Sequence, residues 1–383
     1  MDSPARLGEA VAALAGGSGP IAVDTERASG YRYSQRAYLV QLRRAGAGTV
    51  LLDPIAVDDL GALAEVVDPA EWVLHAASQD LPCLAELGLR PAVLFDTELA
   101  GRLAGYERVG LGPLVEQLLG FRLEKGHGAA DWSRRPLPAD WLTYAALDVE
   151  LLLPLAEAMA AELDTQGKRG WAEEEFESVR TAGPPSPRTD PWRRTSGIHR
   201  VRKPRQLAAV RELWTVREEL ARRHDVAPGR VLPDSAVVAA ALTDPPDETA
   251  LVALPVFGGR AQRRQARTWG AALHRARELP PEELPTARPP ADGPPPVSRW
   301  EERDPAAAAR LAAARAALAT LAEAHQVPVQ NLLQPDLVRR LCWAPPSGDL
   351  DALHEALRAG GARRWQRELT AAPLLAALQT RPG

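Results

Sequence analysis

Eight of the eighteen residues from Leu279 to Pro296 are proline. Each proline fixes its own φ and lacks an amide donor, so neither a helix nor a sheet strand runs through the segment. A second stretch, Gly183 to Lys203, carries Pro184, Pro185, Pro187 and Pro191 among several arginines and reads as another linker. In a chain of 383 residues these two interruptions predict three folded blocks, at 1–167, 205–280 and 299–383. The joining segments are then 168–204 and 281–298.

The total charge is close to balance, with 46 basic and 50 acidic residues and a net of −4, but the blocks differ sharply. Residues 1–167 carry a net −11, residues 188–280 a net +8, and residues 281–383 are neutral. Carboxylate clusters hold divalent cations, and basic patches hold phosphates, so the split suggests a division of labour. Arginine richness alone carries no argument, because Lys125, Lys168 and Lys203 are the only lysines. A hydrophobic content of 45% excludes a wholly disordered chain. Two cysteines, Cys83 and Cys342, exclude a disulfide framework and a Cys-rich zinc site. No uncharged apolar run of about 18 residues marks a membrane span, and the N-terminus lacks the basic lead-in and apolar run of a signal peptide. A monomeric cytoplasmic protein with no membrane partner is expected.

The first block alternates short apolar runs with helical patterns. Ile21–Val23, Tyr38–Leu42, Thr49–Leu52, Trp72–Leu74 and Ala92–Phe95 read as strands, the second and third forming a hairpin around Ala45-Gly46-Ala47-Gly48. Helical periodicity falls at 58–66, 79–87, 97–104, 111–119 and 139–163. This is an α/β layer with a mixed sheet. The other two blocks read as all-α and resemble each other. Leu220-Ala-Arg-Arg-His224-Asp-Val226 parallels Leu321-Ala-Glu-Ala-His325-Gln-Val327, and Pro233-Asp234 parallels Pro335-Asp336. Two copies of one small helical domain follow, each too long for a solenoid repeat.

Three acidic stations stand out in the first block. Asp24 and Glu26 are i and i+2 at a strand end, so both carboxylates face one side of the sheet. Adjacent like charges are costly unless a cation neutralises them, although an isolated Asp-x-Glu is common. Asp96-Thr97-Glu98 repeats the pattern, but there a helix follows at once and Asp96 reads as its N-cap. Asp80 follows the strand Trp72–Leu74 and opens a helix, where a plain first-turn acid is the simpler reading; His75 reads as a satisfied strand-end histidine. Tyr144 and Asp148 are i and i+4 on one helical face. An aspartate inside a helix is a poor helix former and asks for a reason.

Taken in order, Asp24/Glu26, Asp80 and Tyr144/Asp148 resemble the DEDD superfamily of 3′-to-5′ exonucleases. Tyr-x-x-x-Asp matches its tyrosine branch; the histidine branch would need His where Thr143 stands. Asp131-Trp132-Ser133-Arg134-Arg135-Pro136-Leu137 is similar to a stretch of the ribonuclease D family, and the helical blocks resemble that family's HRDC domains. The resemblance implies a ribonuclease H-like α/β exonuclease domain followed by two all-α HRDC-like domains. It further implies two Mg²⁺ or Mn²⁺ ions. Asp24, Glu26 and Asp148 would hold the catalytic one, Asp24 would bridge to the second, and Asp80 would bind that second ion directly or through water. Tyr144 would orient the attacking water. The substrate implied is RNA with a single-stranded 3′ end, tRNA precursors among them, and the product nucleoside 5′-monophosphate. Thr25, Lys125 and Arg135 are expected at the substrate, and Arg202, Lys203, Arg263 and Arg264 on a basic landing surface in the second block. His127 is expected near the mouth of the site, and the neutral third block, with Trp343 and Trp365, to pack as a scaffold. An exonuclease acting chiefly on DNA and a binding module with a dead nuclease core are the competing readings.

Overall fold

The centre of the first block is β1 (Ser18–Arg27), in which Ile21, Ala22 and Val23 are almost wholly buried. This is a computed structural model, and it describes residues 2–123, 126–184, 186–287, 293–347 and 349–380. β2 (Ala37–Ala45) and β3 (Gly48–Leu52) form the expected hairpin, with Gly46 and Gly48 supplying φ of +83° and +79° at its turn. β4 (Glu71–Leu74) and β5 (Val93–Asp96) complete a sheet of order β3-β2-β1-β4-β5. β1 runs antiparallel to β2 and parallel to β4, so the sheet is mixed as expected. The register sets Asp24 opposite Gln41 and Glu26 opposite Leu39.

The helical pattern at 139–163 is two helices, Ala139–Glu150 and Leu152–Thr165. Pro154 is the physical reason: in a continuous helix its ring would meet the carbonyl of Glu150, and it offers no amide to bond there. The break at Leu151 lets the first helix lie across β1, β2 and β3 while the second packs on β1 and β4. A helix at Pro4–Gly16 buries Leu7, Ala10 and Leu14. Residues 169–180, expected in a linker, form a helix whose Phe176 packs on Phe95 at 4.9 Å between ring centroids.

The second and third blocks follow one plan. Each opens with a 21-residue helix, Pro204–His224 or Pro305–His325, closed by a left-handed residue, Asp225 or Gln326. A one-turn helix follows in each (Pro228–Val231, Val329–Leu332), then a helix opening at Pro-Asp or its equivalent (Asp234–Thr243, Pro335–Trp343), with three further helices in the second block and two in the third. Their attachment differs. The third block shares one continuous apolar core with the α/β block, while the second has a core of its own. At the first junction Trp365 stacks on Trp171 at 4.7 Å and 14°, and its indole N–H donates to Glu175 at 3.1 Å. Arg363 pairs with the same carboxylate at 2.6 Å. The second block instead touches the β1–β2 loop by polar contacts. Ser34 N–H donates to Asp225 at 2.8 Å, and Arg230 lies 4.0 Å over the Tyr31 ring and donates to Gly30 O.

Candidate active site

Strand alternation puts Asp24 and Glu26 on the face of β1 covered by helix Ala139–Glu150, which contributes Asp148 from above. One oxygen from each of the three carboxylates lies within 4.8 Å of the others. Burial, and then the neighbouring carboxylates, push these acids upward. Asp24 is raised well above the usual range, by burial first and then by Asp80 and Asp148. Glu26 is pushed to about 9 by burial and then by Asp24, Asp148 and Asp80. Asp148 rises to about 6 by burial, held back by a hydrogen bond from Tyr144. The Tyr144 phenol is itself raised, by burial first and by Asp148 next, so it stays protonated and donates to that carboxylate. Three hard oxygen donors crowded together, Glu26 buried and Asp24 and Asp148 half-buried, none with an arginine or lysine bonded to it among the described residues, fit a divalent cation.

Asp80 reaches the same region from another direction. It opens the helix Leu81–Glu86 but its side chain makes no capping bond, so the plain first-turn reading does not describe it. Thr25 Oγ1 donates to Asp80 Oδ1 at 2.6 Å, and Arg27 Nη2 lies 3.6 Å from the same oxygen while its Nη1 donates to Gln79 O at 2.6 Å. Burial raises the Asp80 carboxyl, and both Thr25 and Arg27 pull it back.

Thr25 is 6% exposed, and its hydroxyl is bonded to Asp80. Residue alternation explains this, since Thr25 must face away from Asp24 and Glu26. Arg135 is likewise engaged within the chain. Its Nε and Nη2 form a two-pronged pair with Asp53 at 2.6 and 2.7 Å, and its Nη1 and Nη2 also donate to Trp132 O and Tyr38 O. A guanidinium so engaged has no donors left for a phosphate. Lys125 lies outside the described residues. Arg202, Lys203, Arg263 and Arg264 are exposed and form no ion pair with a described residue. Arg202 and Lys203 lie at the end of the joining segment, Arg263 and Arg264 lie in the second block, and none of the four lines the cleft beside Tyr144 and Asp148.

The two bland readings hold. Asp96 accepts from the amides of Ala76, Ala77, Glu98 and Leu99, as an N-cap should. His75 is half-buried against Thr97 Oγ1 at 2.9 Å, and desolvation holds it near 4, so it is neutral. Two features escaped the sequence. A Cβ on Gly126 would lie 2.1 Å from the Tyr144 ring, so only glycine lets that loop rest on the tyrosine. The neighbouring His127 ring is edge-on to Tyr144 at 5.7 Å and stacked on Trp141 at 5.6 Å. The other feature is a cleft of about 450 Å³ that opens beside Tyr144 and Asp148, with the exposed Arg108 on its wall. The Gly126-His127-Gly128 triplet was the available signal for the first; Arg108 carried none.

Two carboxylates from the mixed sheet and a third, with a tyrosine, from the covering helix converge as the resemblance to DEDD-type 3′-to-5′ exonucleases implies. Residues 2–164 match the family model of a 3′-5′ exonuclease, 206–273 that of an HRDC domain, and 293–378 that of a 3′ to 5′ exonuclease C-terminal domain. A second HRDC match is therefore not what the third block returns. Ribonuclease D of Gluconacetobacter diazotrophicus is 32% identical over 335 residues, covering 85% of this chain and 81% of that protein. A crystal structure of a protein from Bifidobacterium adolescentis aligns with a TM-score of 0.92 at 38% identity, over 99% of this chain and 96% of that one. That of Escherichia coli RNase D, an exoribonuclease involved in structured RNA processing, gives 0.70 at 26% identity over 100% and 99%. The chain belongs to the ribonuclease D family and is a 3′-5′ exoribonuclease. No helix among the described residues is long and apolar enough to cross a membrane.

Proposed function

We propose that the chain trims RNA, tRNA precursors among its substrates, from single-stranded 3′ ends to nucleoside 5′-monophosphates, with Asp24, Glu26, Asp80, Tyr144 and Asp148 as its working residues. Asp24, Glu26 and Asp148 hold one Mg²⁺ or Mn²⁺, and Asp24 and Asp80 serve a second. Bound there, such ions supply positive charge at the attacking and leaving oxygens of the phosphodiester. The chain's own residues do the rest. Tyr144, tied to Asp148 and backed by the Gly126 loop, orients the attacking water. Thr25 and Arg27 hold Asp80 in place. The basic surface with Arg202, Lys203, Arg263 and Arg264 carries the RNA body electrostatically. The third block, whose helix order follows the second's, is a divergent HRDC-like scaffold. The monomeric state and cytoplasmic location expected from the sequence belong to the same proposal.

The observation that carries this reading is the meeting of three carboxylate oxygens within 4.8 Å beneath a helix that also bears Tyr144. The test uses single-stranded RNA and DNA, each labelled at the 5′ or the 3′ end, with Mn²⁺ or chelator. The proposal expects early release of 3′ label, a shrinking 5′-labelled ladder, dependence on Mn²⁺, and loss in Asp24→Ala and Asp148→Ala. Full activity in those variants overturns it, and faster loss from DNA moves the assignment to the deoxy substrate.

A further inference from the structure

Gln41 is 0% exposed, and neither its Nε2 nor its Oε1 has a hydrogen-bond partner. Buried amides are nearly always bonded, because an unpaired donor and acceptor give up their water for nothing. The position of this one is informative. Gln41 lies in β2, directly opposite Asp24 in β1 and Leu51 in β3. Residues directly opposite in an antiparallel pair project to the same face with Cβ atoms about 4.5–5.5 Å apart. Gln41 therefore sits on the face that carries Asp24 and Glu26. Its i±2 neighbours share that face. Leu39 packs in one apolar cluster with Ala145, and Arg43 reaches Glu150 at 3.4 Å. Both partners are on the helix that carries Asp148, so that helix roofs Gln41.

We propose that Gln41 is a positioning residue for the carboxylate cluster, its amide lying beside Asp24 and fixing how that carboxylate presents its oxygens. An apolar side chain would fill the same space without leaving two polar atoms unpaired, so the amide has a use that the chain alone does not satisfy. Partners behind a metal ligand fix which oxygen it presents, and their loss weakens metal binding about 10–100-fold. The inference rests on the cation-holding role proposed for Asp24, Glu26 and Asp148.

The test replaces the amide by an apolar chain of nearly equal length, Gln41→Met, with Gln41→Leu as a second variant. Mn²⁺ binding is measured by calorimetry without RNA, and thermal midpoints are read in chelator and in Mn²⁺. The expected result is an unchanged or raised midpoint in chelator together with Mn²⁺ binding weakened about 10–100-fold. A lowered midpoint with Mn²⁺ affinity equal to the unmutated chain's makes Gln41 an ordinary core residue and overturns the inference. If the unmutated chain takes up no Mn²⁺, the cation-holding reading itself falls, which the wild-type titration shows separately.

Discussion

Replacing Trp365 by alanine tests whether the third block and the nuclease stand or fall together. The indole is 2% exposed, stacks on Trp171 of the helix Arg169–Arg180, and donates to a Glu175 carboxylate that is 4% exposed. Truncating a buried tryptophan costs about 3–5 kcal/mol in transfer and cavity terms. Glu175 keeps its Arg363 partner at 2.6 Å, so no buried charge is stranded and the figure needs no further addition. Spread over the shared core, this lowers the melting midpoint by roughly 6–20 °C at about 2–4 °C per kcal/mol. Because the second block has a separate core, its own transition should not move. Differential scanning calorimetry beside residual nuclease activity after heating reads both. The expected outcome is that activity is lost along the shifted transition. If activity survives to the wild-type temperature while only a third-block transition shifts, the continuous core does not act as one cooperative unit.

Three further outcomes follow from the site. Gly126→Ala drives a methyl to within 2.1 Å of the Tyr144 ring, so turnover should fall sharply with the melting midpoint nearly unchanged; equal turnover refutes the loop's role. Thr25→Val removes the 2.6 Å bond to Asp80, worth about 1.5–3 kcal/mol for a charged acceptor, and should lower kcat more than it raises KM in steady-state assays on RNA. The double change Arg263→Gln, Arg264→Gln should reduce the salt slope of single-stranded RNA binding by about 1.4, at about 0.7 per lost phosphate contact, without changing cleavage at saturating RNA.

The parts of this protein that sequence made legible are those set by local periodicity. Asp24 and Glu26 share a face because strands alternate, and Tyr144 and Asp148 share one because helices repeat near four residues. The Gly-rich turn at 45–48 announced its hairpin for the same local reason. What stayed hidden depends on partners far along the chain. Arg135 is claimed by Asp53, 82 residues away, and Thr25 by Asp80, 55 away. The unpaired state of Gln41 is visible only once β2 is seated between two strands under a helix. The attachment of the third block hinges on Trp171 and Trp365, whose stacking no spacing rule foretells. Pro154 did carry a local signal, since it forces the break at Leu151 that a continuous 139–163 pattern overlooks.

The crowded carboxylates Asp24, Glu26 and Asp148 are proposed to hold a divalent cation, and proton release tests that role directly. In the cation-free chain burial and the neighbouring carboxylates push Glu26 up to about 9, so it keeps its proton at pH 7, and they raise Asp24 as well. A cation binds the deprotonated forms, so its uptake must expel that proton, and its apparent affinity must strengthen as pH rises toward 9. Calorimetric titration of Mn²⁺ into chelator-treated protein at pH 7, in two buffers of different ionisation enthalpy, counts the protons directly. Release of about one or more protons per chain is expected. Uptake without proton release, or an affinity that weakens as pH rises, contradicts that role.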